Sequence, residues 1–145
     1  MTLHPWLELD GMPAVTQPTE RSQRSCLARL RTHRRPSFAI LHLTPDDYVQ
    51  CAGSPAGMFV ERRIGSAPLA RAWQERAVVP FLDGVTLSFS AGEVVLRRDE
   101  WLTLEQVGDV FWAAASGREL PCWLRWRGIT LQKALPSQTR RSRRD

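Results

Sequence analysis

The stretch of residues 48–63 constrains the fold more than any other part of the chain. It reads YVQCAG, then SPAG, then MFVERR. Two runs of strand-forming residues flank a short segment of turn residues, which is the pattern of a β-hairpin. Side chains alternate along a strand. Tyr48, Gln50 and Ala52 therefore share one face, and Val49 and Cys51 share the other. The segment Ser54-Pro55-Ala56-Gly57 is expected to be the connecting loop. A lone hairpin is marginal in water, so this one needs further strands and a covering layer.

The rest of the chain supplies both. Residues 6–9 (WLEL) alternate and end at Asp10-Gly11, a strand followed by a turn. Residues 37–43 (SFAILHL) read as a largely buried strand, closed by the turn residues Thr44-Pro45-Asp46-Asp47. Residues 85–89 and 93–97 straddle Ala91-Gly92 and predict a second hairpin. Residues 123–127 (WLRWR) read as a last strand, with Trp123, Arg125 and Arg127 on one face and Leu124 and Trp126 on the other. Residues 65–83 stay open between helix and strand. Leu69, Ala72 and Trp73 have helical spacing, but Pro68 and Pro80 bracket them closely.

Two helices are predicted. In residues 104–116 the apolar Leu104, Val107, Val110, Phe111 and Ala114 fall on one face. Thr103 and Gln106 form a capping box at the start, and Gly117 follows as the terminating glycine. A second helix is expected over residues 20–33, after the N-cap Thr19, with a narrow apolar face of Cys26, Leu27 and Leu30 and Pro36 as the stop. The fold class read from these elements is α+β: an antiparallel sheet of about five to seven strands, curved, with two main helices packed on it.

With 145 residues, 43% of them hydrophobic, the chain fits one domain. It is long enough to bury roughly two-thirds of its unfolded surface. The expected organisation is a single α+β domain over residues 1–135 and a disordered basic tail over 136–145. No apolar run reaches the ~20 residues that cross a bilayer. The first ten residues lack the pattern of a signal peptide, so a cytoplasmic protein is expected. Cys26, Cys51 and Cys122 are odd in number and widely spaced, and read as reduced thiols.

The net charge of +5 raises the question of an anionic partner. Its placement narrows that possibility. Six arginines (Arg21, Arg24, Arg29, Arg31, Arg34 and Arg35) crowd residues 20–35, and four more lie in the tail. The intervening body is close to neutral. A nucleic-acid-binding or regulatory module using that helix and tail is therefore the alternative reading of function.

Nothing in the sequence announces chemistry. Phosphate-binding loops, zinc-protease motifs and nucleophile elbows are absent. No cofactor, catalytic residue or metal ligand set is assigned. His4, His33 and His42 are scattered, and His42, inside an apolar strand, reads as structural. Asp46-Asp47 and Asp99-Glu100 are adjacent carboxylates that point apart and read as turn residues. Six tryptophans are a high count, and Trp and Arg are enriched at binding hot spots. The face carrying Trp123, Arg125 and Arg127 is the first candidate for partner contact.

The stretches FAILHLTPDDYVQCAG and GMFVERR, a short apolar helix, and LPCWLRWRGIT follow one another in an order that resembles small bacterial immunity proteins. Those are the immunity proteins of polymorphic or contact-dependent toxin systems. The resemblance spans roughly residues 37–131. It rests on Tyr48-Val49-Gln50 with Gly53, on Glu61-Arg62-Arg63, and on Trp126-Arg127 with Ile129-Thr130. The family pattern places an acidic residue after the Trp-Arg pair, where this chain has Gly128. The resemblance implies a curved antiparallel sheet with helices on it, and a protein that binds a cognate toxin effector domain without catalysis. Glu61, Arg62, Asp46 and Asp47 join Trp123, Arg125 and Arg127 as the candidate contact residues. Nuclease inhibitors often carry acidic surfaces that mimic their target's substrate. This basic chain is instead expected to block its toxin by steric occlusion.

Overall fold

A computed structural model describes residues 4–129. The element order is β1 (Trp6–Leu9), β2 (Val15–Thr16), α1 (Glu20–Ala28), β3 (Phe38–His42), β4 (Tyr48–Ser54), β5 (Gly57–Arg63), β6 (Ala70–Trp73), β7 (Val85–Phe89), β8 (Gly92–Leu96), a 3-10 turn (Arg98–Glu100), α2 (Leu104–Ser116) and β9 (Arg125–Gly128). Seven strands form one antiparallel sheet in the order β2-β1-β3-β4-β5-β6-β9, and β7-β8 form a separate hairpin. The fold is α+β. The tail assigned to residues 136–145 lies outside the described residues.

The hairpin at the centre forms as its sequence dictates. Tyr48 pairs with Arg63, Gln50 with Glu61, and Ser54 with Gly57, so the loop tightens to Pro55-Ala56. Gly53 makes this possible. Its φ of +131° is a conformation that side chains rarely adopt, and a Cβ there would run into the Gly57 carbonyl oxygen.

Alternation then sorts the sheet into two faces. One face carries Leu7, Leu9, Ala39, Leu41, Val49, Cys51, Val60 and Ala72 against Leu27 and Leu30 from the α1 region and Val107, Val110 and Phe111 from α2, all buried. The opposite face carries Phe38, Ala52 and Phe59 at one end, where the β7-β8 hairpin covers them with Leu87, Val94 and Leu96. The molecule is thus helices, sheet and hairpin in three layers, with the third layer covering only part of the sheet.

The helix α2 has the limits its sequence predicts. Thr103 Oγ1 accepts from the Gln106 amide at 3.1 Å, and Gln106 Oε1 accepts from the Thr103 amide at 3.0 Å. Gly117 closes the helix in the left-handed conformation. The capping glutamine also ties α2 to the residue that follows β6, because its Nε2 donates to Gln74 Oε1 at 2.9 Å.

Two expectations need correction, and one open reading is resolved. The α1 helix ends at Ala28 rather than near His33. Beyond Leu30 the sequence offers Arg, Thr and His with no apolar face to bury, and the Arg29 and Leu30 amides turn back onto Cys26 and Leu27. Arg31 then caps the carbonyls of Ala28 and Leu30, at 2.9 and 2.7 Å. The ambiguous residues 65–83 contain one short strand, β6, whose register with β5 and β9 overrides the helical spacing of Leu69, Ala72 and Trp73. The last strand starts at Arg125, because Pro121–Leu124 is a turn closed by the Leu124 amide on the Pro121 carbonyl at 3.2 Å.

Candidate functional site

The register places one residue from each of six strands in a single row: Glu8, Ile40, Gln50, Glu61, Arg71 and Arg127. All lie on the sheet face away from the helices. From Gln50 onward the row is a continuous polar chain. Gln50 Nε2 donates to Glu61 Oε1 at 3.0 Å. Arg71 donates to Glu61 Oε2 through Nε at 3.0 Å and Nη2 at 2.8 Å. The third Arg71 nitrogen lies 3.5 Å from Glu100 Oε1. Arg127 closes the chain on Glu100 Oε2 at 2.8 Å and Asp99 Oδ2 at 3.2 Å.

The centre of this chain is sealed from water, while Arg127 and Asp99 at its end are 26% and 28% exposed. The side chains of Glu61, Arg71 and Glu100 are 5%, 6% and 3% exposed. Burial pushes the Glu61 carboxyl above its ordinary value, and the Arg71 guanidinium partly offsets the push. Arg127 gains from its hydrogen bonds to Asp99 and Glu100, which hold its charge more firmly. Aromatic faces complete the packing. The Arg71 guanidinium lies 5.7 Å from the Phe59 ring centre and that of Arg127 lies 5.0 Å from the Trp73 ring centre.

Beside this chain a pocket of about 260 Å³ opens between the sheet and the tip of the β7-β8 hairpin. Its walls are largely apolar, with Phe38, Ile40, Phe59, Leu69, Phe89 and Val94 prominent. Tyr48, Gln50 and Glu61 bring polar atoms to it. The hairpin tip is pinned by Asp10, whose Oδ2 accepts from Ser90 Oγ at 2.6 Å, Ser37 Oγ at 2.9 Å and the Ser37 amide at 3.1 Å. Burial alone would raise the Asp10 pKa. The serine hydrogen bonds, with Arg35 at 3.2 Å, reverse this and hold it below its ordinary value.

The next row on the same face is Trp6, His42, Tyr48 and Arg63. Trp6 and His42 stack at 3.9 Å, and His42 Nε2 lies 2.9 Å from Glu8 Oε1. Trp6 is exposed, and Tyr48 and Arg63 are half-buried. This row lies beside the pocket, which Tyr48 also lines and whose far wall is the β7-β8 hairpin.

The seven contact candidates do not gather into one patch. Glu61 and Arg127 belong to the buried polar chain, where they serve each other's neighbours. Arg62 points to the other side of the sheet and stacks on Trp126 at 4.1 Å. Trp123 sits in the turn before β9, half-buried against the helix-side core, and so does not share the face of Arg125 and Arg127. Arg125 is exposed and donates to the carbonyls of Cys122 and Leu124. Asp46 and Asp47 shape the β3-β4 turn: both amides donate to Thr44 Oγ1, and Asp47 Oδ1 accepts from the Gly65 amide at 2.6 Å.

Arg71, Glu100 and the Trp6–His42 stack carry no motif and are not assigned as site residues by the sequence, and Gln50, though part of the Tyr48-Val49-Gln50 motif, is not assigned as a contact residue. Gln50 and Glu61 were within reach of counting outward from the hairpin turn. Arg71 and Glu100 were not, because they reach Glu61 from elements 10 and 39 residues further along the chain.

The basic stretch is less free than its composition implies. Arg24 bridges Asp109 at 2.7 Å and Glu20 at 3.1 Å, Arg31 caps carbonyls, and Arg35 pairs with Asp10. Only Arg21, Arg29 and Arg34 of the six are exposed without an acidic partner among the described residues.

Among the described residues, no three His, Cys, Asp or Glu side chains are placed to hold a metal ion, and no helix is long and apolar enough to cross a membrane. No family model, curated protein or solved structure matches the chain.

Proposed function

We propose that this chain is an immunity protein that binds a cognate toxin domain and blocks it by steric occlusion. The observation that carries the reading is the polar chain from Glu61 to Asp99, whose charges pair with one another beside a row of exposed and half-buried aromatic and basic side chains. Its buried charges are already spent on one another, which leaves a rigid surface suited to recognition. Catalysis instead needs a nucleophile or base held with unmet capacity toward a substrate. The motif order described above supplies the toxin-neutralising half of the proposal.

The contact surface in this reading is the row Trp6, His42, Tyr48 and Arg63 with the adjoining pocket. It joins aromatic groups with one guanidinium, the residue types that dominate binding hot spots. The partial neutralisation of the basic helix by Asp109, Glu20 and Asp10 weighs against a nucleic-acid surface there.

The test is direct. The protein domain encoded by the adjacent gene is purified and titrated against this chain by calorimetry, and the two are co-expressed in a growth assay. The proposal expects a stoichiometric complex and protection from toxicity. A neighbouring product that neither binds nor harms cells would overturn it.

A further inference from the structure

The geometry points to a specific anchor site: the pocket beside Gln50 receives one aromatic side chain of the partner protein, and that side chain carries an N–H or O–H donor, as Trp and Tyr do. The inference rests on the reading of this face as the partner surface and names what enters it.

Size is the first argument. Pockets for drug-sized ligands run from about 300 to 1,000 Å³. At about 260 Å³ this one falls short of that range and matches a single large side chain. The walls are the second. Phe38, Phe59 and Phe89 converge there, with Phe89 held 6.3 Å from Phe38 and 6.0 Å from Phe59 between ring centres. Edge-to-face and tilted packing of this kind extends naturally to a fourth ring.

The polar floor selects the donor. The Gln50 amide nitrogen donates one of its two N–H groups to Glu61, which sets the orientation of the amide. Its carbonyl oxygen accepts no hydrogen bond among the described residues, and Gln50 is one of the residues that line the pocket. Glu61 Oε2 already accepts twice from Arg71, so it is not free to receive a donor from a guest. A guest with an apolar ring and one donor satisfies the Gln50 oxygen. A purely hydrocarbon ring would desolvate it without compensation.

The probe is indole, titrated into the full chain and followed by amide NMR, with 1-methylindole as the control that lacks the donor. Indole is expected to shift the Gln50 side-chain amide and the backbone signals of Ala52, Phe59 and Ala91. It should bind about three- to tenfold more tightly than 1-methylindole, the span of one hydrogen bond. Gln50→Met should erase that preference and leave the weaker binding. Ala91→Leu, a change in the hairpin turn at the pocket wall, should reduce binding of both. Shifts confined to other surfaces, or none, would overturn the site, and equal affinity for the two probes would overturn the donor requirement. If indole binds here but the neighbouring gene product does not bind the chain, the anchor site stands and the toxin assignment falls.

Discussion

Replacing Arg71 with Met tests the buried polar chain that organises the candidate site. Met keeps most of the side-chain volume and removes the charge. The change deletes two good charge-assisted hydrogen bonds to Glu61, at 3.0 and 2.8 Å, and the 3.5 Å contact with Glu100. It leaves two buried carboxylates without the cation between them. Removing one partner of a buried pair costs about 3–5 kcal/mol. All three side chains are at most 6% exposed, so solvent screening gives little relief. Taking about 4 kcal/mol and a urea slope of about 2 kcal/mol/M, the unfolding midpoint should fall by roughly 2 M. The loss must also depend on pH. Glu61 already titrates above its ordinary 4.5 because burial opposes its charge, and losing Arg71 pushes it higher. A carboxylate whose folded pKa exceeds its unfolded one takes up its proton more readily when folded. The folded state therefore gains stability as pH falls through the folded value, and the variant's deficit should shrink between pH 7 and pH 5. Adding Glu61→Leu to Arg71→Met should recover part of the loss, because Glu100 keeps its 2.8 Å bond to Arg127. Urea melts at the two pH values measure all of this. A deficit below about 1 kcal/mol, or one that ignores pH, would refute the claim that these charges are buried and interdependent.

Other consequences follow from the same structure. Asp10→Asn should destabilise the protein by about 2 kcal/mol, since one buried acceptor serves Ser37, Ser90 and Arg35, and hydrogen exchange should rise first at the tip of the β7-β8 hairpin. Because the folded pKa of Asp10 lies below its ordinary 3.8, its contribution is present above that value and is lost as pH falls through the folded one, so acid melts of the variant should be flatter than wild type in that window. Thiol labelling should find Cys122 fast, Cys26 slow and Cys51 silent until unfolding, because burial raises the pKa of the latter two and only Cys122 is exposed. Thr103→Ala should cost about 1 kcal/mol in thermal or urea unfolding, the usual worth of an N-cap hydroxyl.

What the sequence makes legible is what short-range chemistry decides. The capping box at Thr103 and Gln106 and the terminating Gly117 mark α2 to the residue, because each signal acts within one helical turn. The central hairpin is readable because alternation and turn residues agree over its whole length. The α1 helix is overextended on paper because Pro36 is a visible stop while the true limit, the end of apolar residues at Leu30, is only a fading of pattern. The site is less legible still. Trp123 looks like a strand residue by alternation, yet Pro121 holds it in a turn. Arg71 sits in a stretch with competing helical and strand patterns, and only the pairing of β6 with β5 turns it toward Glu61. Glu100 reaches the row from outside the sheet, through a 3-10 turn, and no spacing rule connects it to residue 61.

The central claim is that the sheet face bearing Trp6, His42, Tyr48 and Arg63, and not the basic helix, meets the partner. Hydrogen–deuterium exchange of this chain, free and mixed with a binding partner identified by the titration proposed above, decides between the two surfaces. The account predicts protection in β3, β4, the second half of β5 and the hairpin tip at Ser90–Gly92, with residues 20–35 unchanged. Protection confined to residues 20–35, with the sheet face exchanging as in the free protein, would contradict it.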